Sequence, residues 1–302
     1  MQIHASSLGE AVPRENFEAL IQSTFESAAN LRLLSEDRLL TLLISDHYEL
    51  PQGIRIGTKN VSLDSLTPGR RAAARGGVLR FDFSPLTIDL RGVPVWKCPV
   101  SELHTDMRSN RTQQAWATAW RLLNEEQRAR DAGIVADDLF RLTSGAFLSQ
   151  RMSRSVMQLV TSSEQFDSRG SIFAAQGMIG LGPGVTPSGD DLLIGFLAGL
   201  WSTRGTDQGQ LSFIYSFGDA LLEAAKQTSE LSRTYIVHAV RGQFSSGLAN
   251  LAQAITTGHG VEQAAREAMQ VGHSSGMDSV TGLLIGLAAW SAQSIHHPMP
   301  LP

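Results

Sequence analysis

Three aspartates, a set of hydroxyls and one histidine gather around two short motifs in the second half of the chain. The first is Gly180-Leu-Gly-Pro-Gly-Val-Thr-Pro-Ser-Gly-Asp-Asp191, and the second is Gly272-His-Ser-Ser-Gly-Met-Asp278. A glycine loop that opens a helix turns backbone N–H groups outward and accepts phosphate or carboxylate. Gly182, Gly184 and Gly276 are the candidate N–H donors, and Thr186, Ser274 and Ser275 add hydroxyls beside a bound anion. His273, Asp190 and Ser188 form the candidate catalytic set, since a histidine can serve as acid, base or neutral donor near neutral pH. Asp190, Asp191 and Asp278 are carboxylates of the kind that hold Mg²⁺ through water next to phosphate. Between the two motifs, Thr228-Ser-Glu-Leu-Ser-Arg233 opens another helix, and Ser232 and Arg233 could meet an anion there.

The two motifs are copies. Ser188-Gly-Asp-Asp-Leu-Leu-Ile-Gly-Phe-Leu-Ala-Gly-Leu200 returns 87 positions later as Ser275-Gly-Met-Asp-Ser-Val-Thr-Gly-Leu-Leu-Ile-Gly-Leu287, with 7 of 13 positions identical. Serine followed three residues later by aspartate reads as a capping box at a helix start, with the aspartate also favoured by the helix dipole. This makes Asp191 and Asp278 caps in the first instance and leaves Asp190 free for a ligand. The helices behind the caps are apolar all round and so expected to be buried. Gly195 and Gly199, and likewise Gly282 and Gly286, lie four apart on one face, which permits close backbone approach. Two matched glycine faces imply that the helices touch and bring both loops to one cleft.

Several chemistries are absent. No Gly-Lys-Ser/Thr follows the glycine loop, Pro183 breaks any dinucleotide spacing, no Gly-x-Ser-x-Gly elbow supports a hydrolase triad, and no His-Glu-x-x-His spacing supports zinc. Net charge of −4 and a pI near 6.1 offer no general attraction to nucleic acid or anionic lipid. A single cysteine, Cys98, excludes an internal disulfide and points to a reducing cytoplasm. Neither a signal-peptide pattern nor a run long enough to cross a bilayer is present, so a soluble protein is expected.

The elements that must position these residues fall into two regions, which define an α+β chain. Residues 1–105 read as a β-rich domain, a small barrel or sandwich-like fold. Its strand signals are Leu31–Leu34, Leu39–Ile44, Gly53–Ile56, Val78–Phe83 and Leu86–Leu90, with a hairpin turn at Ser84-Pro85. One early helix is predicted over Glu15–Ser27, with Phe17, Leu20, Ile21 and Phe25 on a face. Arg70, Arg71 and Arg75 form a basic cluster that reads as solvated surface. Residues 106–302 read as α-helical. Ala115, Trp116, Ala119, Trp120 and Leu123 mark a helix ending near Ala132-Gly133, and further helices are predicted over 137–160, 208–226, 229–241, 244–257 and 261–270. The tail from Ile295 to Pro302 is predicted to fray.

The run from Gly180 to Asp191, then Thr228-Ser-x-x-Ser232 with a helix through His238 to Gly242, then Gly272-His-Ser-Ser-Gly-Met-Asp-Ser-Val-x-Gly282, resembles the DUF2877 family. The three motifs span about residues 177–290; the N-terminal half resembles the family only in β-rich character and position. That family includes the third subunit of the bacterial oxamate carbamoyltransferase complex of anaerobic allantoin breakdown. The resemblance implies a multi-subunit enzyme that converts oxalurate and phosphate to oxamate and carbamoyl phosphate, with two further subunits as partners. One of them is similar to acyl-CoA synthetase α-subunits. It implies a small anionic substrate and a proton donor for the oxamate nitrogen, for which His273 is the candidate. Asp190, Asp191 and Asp278 would repel phosphate unless Mg²⁺ or arginines offset them. The other reading is a non-catalytic anion-binding or assembly subunit whose glycine loops dock against a partner.

Overall fold

The computed structural model describes residues 2–36, 38–58, 62–132, 134–140 and 147–290. The chain divides into two compact units, Met1–Cys98 and Pro99–Pro302. The first is a single curled sheet of ten strands, a half-barrel, in the order β1-β9-β8-β7-β3-β4-β5-β6-β2-β10. The strands are β1 (Gln2–His4), β2 (Ser7–Gly9), β3 (Phe17–Thr24), β4 (Ala28–Leu33), β5 (Leu39–Ile44), β6 (Gly53–Ile56), β7 (Arg71–Arg75), β8 (Val78–Phe81), β9 (Thr87–Asp89) and β10 (Val95–Trp96).

The curl has a direct cause. β1 pairs with β9 near one end of the order and β2 pairs with β6 near the other, yet only Ala5 and Ser6 separate them. The Ala5 N–H bonds to the Asp89 carbonyl and the Ser6 N–H to the Arg55 carbonyl, so one extended segment changes partner and draws the two ends together. The core inside the curl is apolar and mostly aliphatic, built from residues such as Phe17, Ala19, Ile21, Leu31, Leu40, Ile54, Leu79 and Ile88.

The predicted helix over Glu15–Ser27 is a strand instead, β3. Phe17, Ala19 and Ile21 alternate inward, and Phe25, placed on the apolar helix face by the 3.6-residue reading, is exposed. The strand is hydrogen-bonded on both sides, to β4 and β7, which outweighs a short helical periodicity. Arg71 and Arg75 face outward from β7 while Ala72 and Ala74 face in; Arg75 pairs with Glu18, and Arg70 stacks over Phe83 at 4.6 Å. The Ser84-Pro85 turn joins antiparallel β8 and β9 as expected.

The second unit is helical: α1 (Asn110–Arg130), α2 (Phe147–Glu164), α3 (Ser168–Gln176), α4 (Ser188–Thr203), α5 (Gln208–Ala224), α6 (Glu230–Val240), α7 (Ser246–Thr257), α8 (Val261–Met269) and α9 (Ser275–Ala288). The predicted 137–160 segment is a 3₁₀ turn, Ala136–Phe140, followed by α2 from Phe147; α3, a short helix with Gly170 in its first turn, carries no clear periodicity in the sequence. The predicted frayed tail lies outside the described residues. Among the described residues no helix is long and apolar enough to cross a membrane.

At the centre, α4 and α9 cross with their glycine faces together. A Cβ on Gly195 would overlap the Ser279 carbonyl, and one on Gly282 would overlap the Leu192 carbonyl. One turn on, Gly199 and Gly286 face each other in the same way. The contact is backbone against backbone and nearly symmetric, as the matched glycines require. α1 braces it: Trp116 Nε1 donates to the Leu284 carbonyl, and Gln127 Nε2 donates to the Ile134 carbonyl and Thr281 Oγ1.

Candidate functional site: a crossed pair of serine–aspartate contacts

Because α4 and α9 lie against each other in the same direction, with Leu192 beside Gly282 and Gly199 beside Gly286, the loops before them meet. Thr186 Oγ1 and Ser275 Oγ, from different copies, lie 2.7 Å apart. The carboxylates are crossed as well. Asp191 of the first copy takes hydrogen bonds from Ser275 and Thr186, while Asp278 of the second takes them from Ser188 and Ser274 and from the Ile134 N–H. Each helix thus presents a serine at its start to the aspartate of the other.

This corrects the capping-box reading. Pro187 and Ser274 occupy the N-cap positions, neither caps through its side chain, and Ser188 and Ser275 are the first helical residues. The first turns are closed by loop carbonyls: the Gly189 N–H bonds to Leu181, and the Gly276 N–H bonds to Val271. Gly276 is therefore not available as an anion donor. Asp191 and Asp278 are released from capping for tertiary contacts.

Both carboxyls are almost fully buried, and each keeps one oxygen, Oδ2, without a hydrogen-bond partner among the described residues. Desolvation is the main consequence. Burial pushes Asp191 up to about 8, against hydrogen bonds from Ser275 and Thr186, with nearby Asp278 and Asp190 adding to the rise. Burial pushes Asp278 up to about 6, against Ser188, Ser274 and the Ile134 amide. Burial therefore favours the protonated form more strongly at Asp191 than at Asp278.

Asp190, read as free for a ligand, is the most tied of the three. It is fully buried, accepts the Gly180 N–H at 2.9 Å on Oδ1, and accepts the Thr228 hydroxyl on Oδ2. Adjacent helical positions point about 100° apart, so Asp190 faces the start of α6 while Asp191 faces α9. Its role in the structure is to tie the start of the glycine loop at Gly180 to Thr228, just before α6. Replacing Asp190 by alanine removes two hydrogen bonds made by a fully buried side chain and is expected to lower stability by ~1–3 kcal/mol. Thermal unfolding checks this, and an unchanged midpoint would return Asp190 to the ligand.

The glycine loop itself stands open. Pro183, Gly184 and Val185 are exposed, and Gly182 and Gly184 sit at φ of 121° and 95°. The amides of Gly182, Gly184 and Val185 donate to no acceptor among the described residues. Successive unpaired amides in such a conformation suit an anion. On the far side, Ser229 donates to the Val185 carbonyl at 2.6 Å and accepts the Ser232 N–H, so the loop spans the starts of α4, α6 and α9. Ser232 is fully buried, its hydroxyl without a partner among the described residues, and Arg233 is half-buried on α6. His273 is exposed on the turn before α9. Among the described residues no group of three or more His, Cys, Asp or Glu side chains is placed to hold a metal ion; Asp190, Asp191 and Asp278 do not converge as a shared Mg²⁺ site.

A curled β unit followed by a helical unit with a duplicated loop–helix element defines a two-part protein with one polar centre built from both copies. Its helical unit matches the family described as oxamate carbamoyltransferase subunit AllH over residues 178–287. Its β unit matches the AllH family N-terminal domain over residues 2–95. The chain belongs to the AllH family of oxamate carbamoyltransferase subunits. No solved structure matches it.

Proposed function

We propose that the chain is the subunit of an oxamate carbamoyltransferase that holds the reacting groups, converting oxalurate and phosphate to oxamate and carbamoyl phosphate in allantoin nitrogen use. The observation that carries this reading is the crossed Ser–Asp centre beside an open glycine loop. In this reading the amides of Gly182, Gly184 and Val185 receive the anionic end of the substrate, and Thr186 and Ser275 face the carbamoyl group.

A phosphate oxygen attacks the carbamoyl carbon, the bond from that carbon to the oxamate nitrogen breaks, and the nitrogen takes up a proton. The proton leaving phosphate passes through Ser188 or Ser274 to Asp278. The proton reaching nitrogen comes from Asp191 through Ser275 or Thr186. The two aspartates are positioning and proton-storing groups, since the hydroxyls stand between them and the loop. Their split affinities suit one to give and one to take. Holding Asp191 neutral and tying Asp190 to Gly180 and Thr228 also reduces the repulsion that three carboxylates would exert on phosphate. His273, exposed, is not required as the proton donor, and Mg²⁺ is not required to offset the charge.

The test is a titration of phosphate, oxamate, oxalurate and carbamoyl phosphate against thermal unfolding, with and without Mg²⁺. An anion at 100 times its dissociation constant is expected to stabilise the fold by ~2.7 kcal/mol. Gly184→Val, which forces a β-branched residue into a left-handed φ, is expected to weaken that shift. No shift for any anion, with the other subunits absent and present, would leave an assembly subunit as the better reading.

A further inference from the structure

Away from the crossed centre, α2 and α3 enclose a groove of about 540 Å³ lined by Arg151, Arg154, Ser155, Gln158, Phe173 and Gln176, among others. Two features of its wall are out of keeping with a free surface. Phe173 leaves 75% of its area exposed, although Ser171, Ala174 and Ala175 of the same helix are buried. Arg151 and Arg154, three apart on α2, are like charges on one helix face. Neither forms an ion pair among the described residues, and no acid lines the groove.

An exposed aromatic flanked by unpaired arginines has the composition of a binding hot spot. The molecule as a whole carries a charge of −4, so the groove is a positive spot on an acidic protein. A second copy docking by two-fold symmetry would set this patch against itself and oppose arginine with arginine. We propose that the groove docks an acidic segment of another subunit of the complex, with Phe173 as the apolar anchor and Arg151 and Arg154 meeting its carboxylates. This rests on the reading of the chain as one subunit of several.

The experiment uses the full chain carrying Gln176→Cys, an exposed position on the groove wall that leaves Phe173 in place, since the one native cysteine, Cys98, is buried. A maleimide is expected to label the introduced thiol readily in the isolated chain and to lose that labelling when the chain is co-expressed and co-purified with its partner subunits. Arg151→Glu with Arg154→Glu is expected to lose co-elution with those subunits while keeping the parental melting midpoint and the parental shift with phosphate. A complex that forms with labelling unchanged, or that survives the double charge reversal, overturns the proposal while the subunit reading stands. A wild-type chain that assembles with no other subunit overturns both. Protection that rises with the concentration of the isolated chain would assign the groove to a second copy, and protection by phosphate alone would assign it to a small anion.

Discussion

Alanine at Gly195 or Gly282 is expected to destabilise the helical unit by roughly 1–3 kcal/mol or more, although alanine is the better helix former by up to ~1 kcal/mol. The clash decides the sign. Each new methyl would meet carbonyl and amide atoms of the facing helix, Ser279 and Leu283 in one case and Leu192 and Phe196 in the other. Helix backbones cannot rotate aside as a side chain can. Separating the helices also pulls Ser275 from Asp191 and Ser188 from Asp278, so anion-induced stabilisation should fall with the midpoint. Gly209→Ala is the control: it lies on the exposed side of α5, meeting only the Asp207 carboxylate at 3.1 Å, and should be neutral or slightly stabilising. Equal melting of all three variants with the parent would remove the close helix contact from this account.

The second large effect concerns pH. Asp191 binds its proton more tightly folded, at about 8, than its ordinary value of 3.8. A carboxyl raised in this way gives its full stability below the ordinary value and loses it as pH climbs towards the raised one. The protein is therefore expected to be more stable at pH 5 than at pH 8, the loss approaching ~1.4 kcal/mol per pH unit for one proton. Asp278, raised to about 6, adds to the lower part of that window. Asp191→Asn keeps the shape without the charge, so the variant should melt above the parent at pH 8 and close to it at pH 5. Melting curves at the two pH values check the sign. A parent whose midpoint rises from pH 5 to pH 8 would mean that Asp191 is ionised and partnered.

Much of this was legible in the residues themselves. β5 and β6 match their apolar runs, α4 and α9 match runs that are apolar all round, and α5 to α8 follow their periodic stripes, because packing and local preference agree there. β3 misled because Phe17, Leu20, Ile21 and Phe25 fit a helical period while Phe17, Ala19 and Ile21 fit a strand, and the partners that decide, β4 and β7, lie elsewhere in the chain. β1, β2 and β10, of three residues or fewer, exist through their ladders and have no signal of their own. At the site, the 87-residue repeat and the matched glycines located the convergence. The roles of the aspartates were not readable in the same way. A serine three residues before an aspartate is a cap in an isolated helix; where two such helices cross, the same spacing sends each serine to the other's aspartate. Asp190 looked free because its partner, Thr228, is 38 positions away. The repeat did contain the missing signal, since Asp278 has Met277 where Asp191 has Asp190, so only Asp191 and Asp278 are matched.

Whether Asp191 supplies the proton is decided by phosphate-dependent release of oxamate from oxalurate by the reassembled complex, comparing Asp191→Asn and His273→Ala with the parent across pH 6 to 9. Loss of a proton donor removes about 10²–10⁴-fold in rate, and Asp191→Asn is expected to fall in that range, while His273→Ala keeps near-parental turnover and the parental pH profile. A complex in which Asp191→Asn remains active and His273→Ala does not would contradict the crossed Ser–Asp centre as the source of the proton.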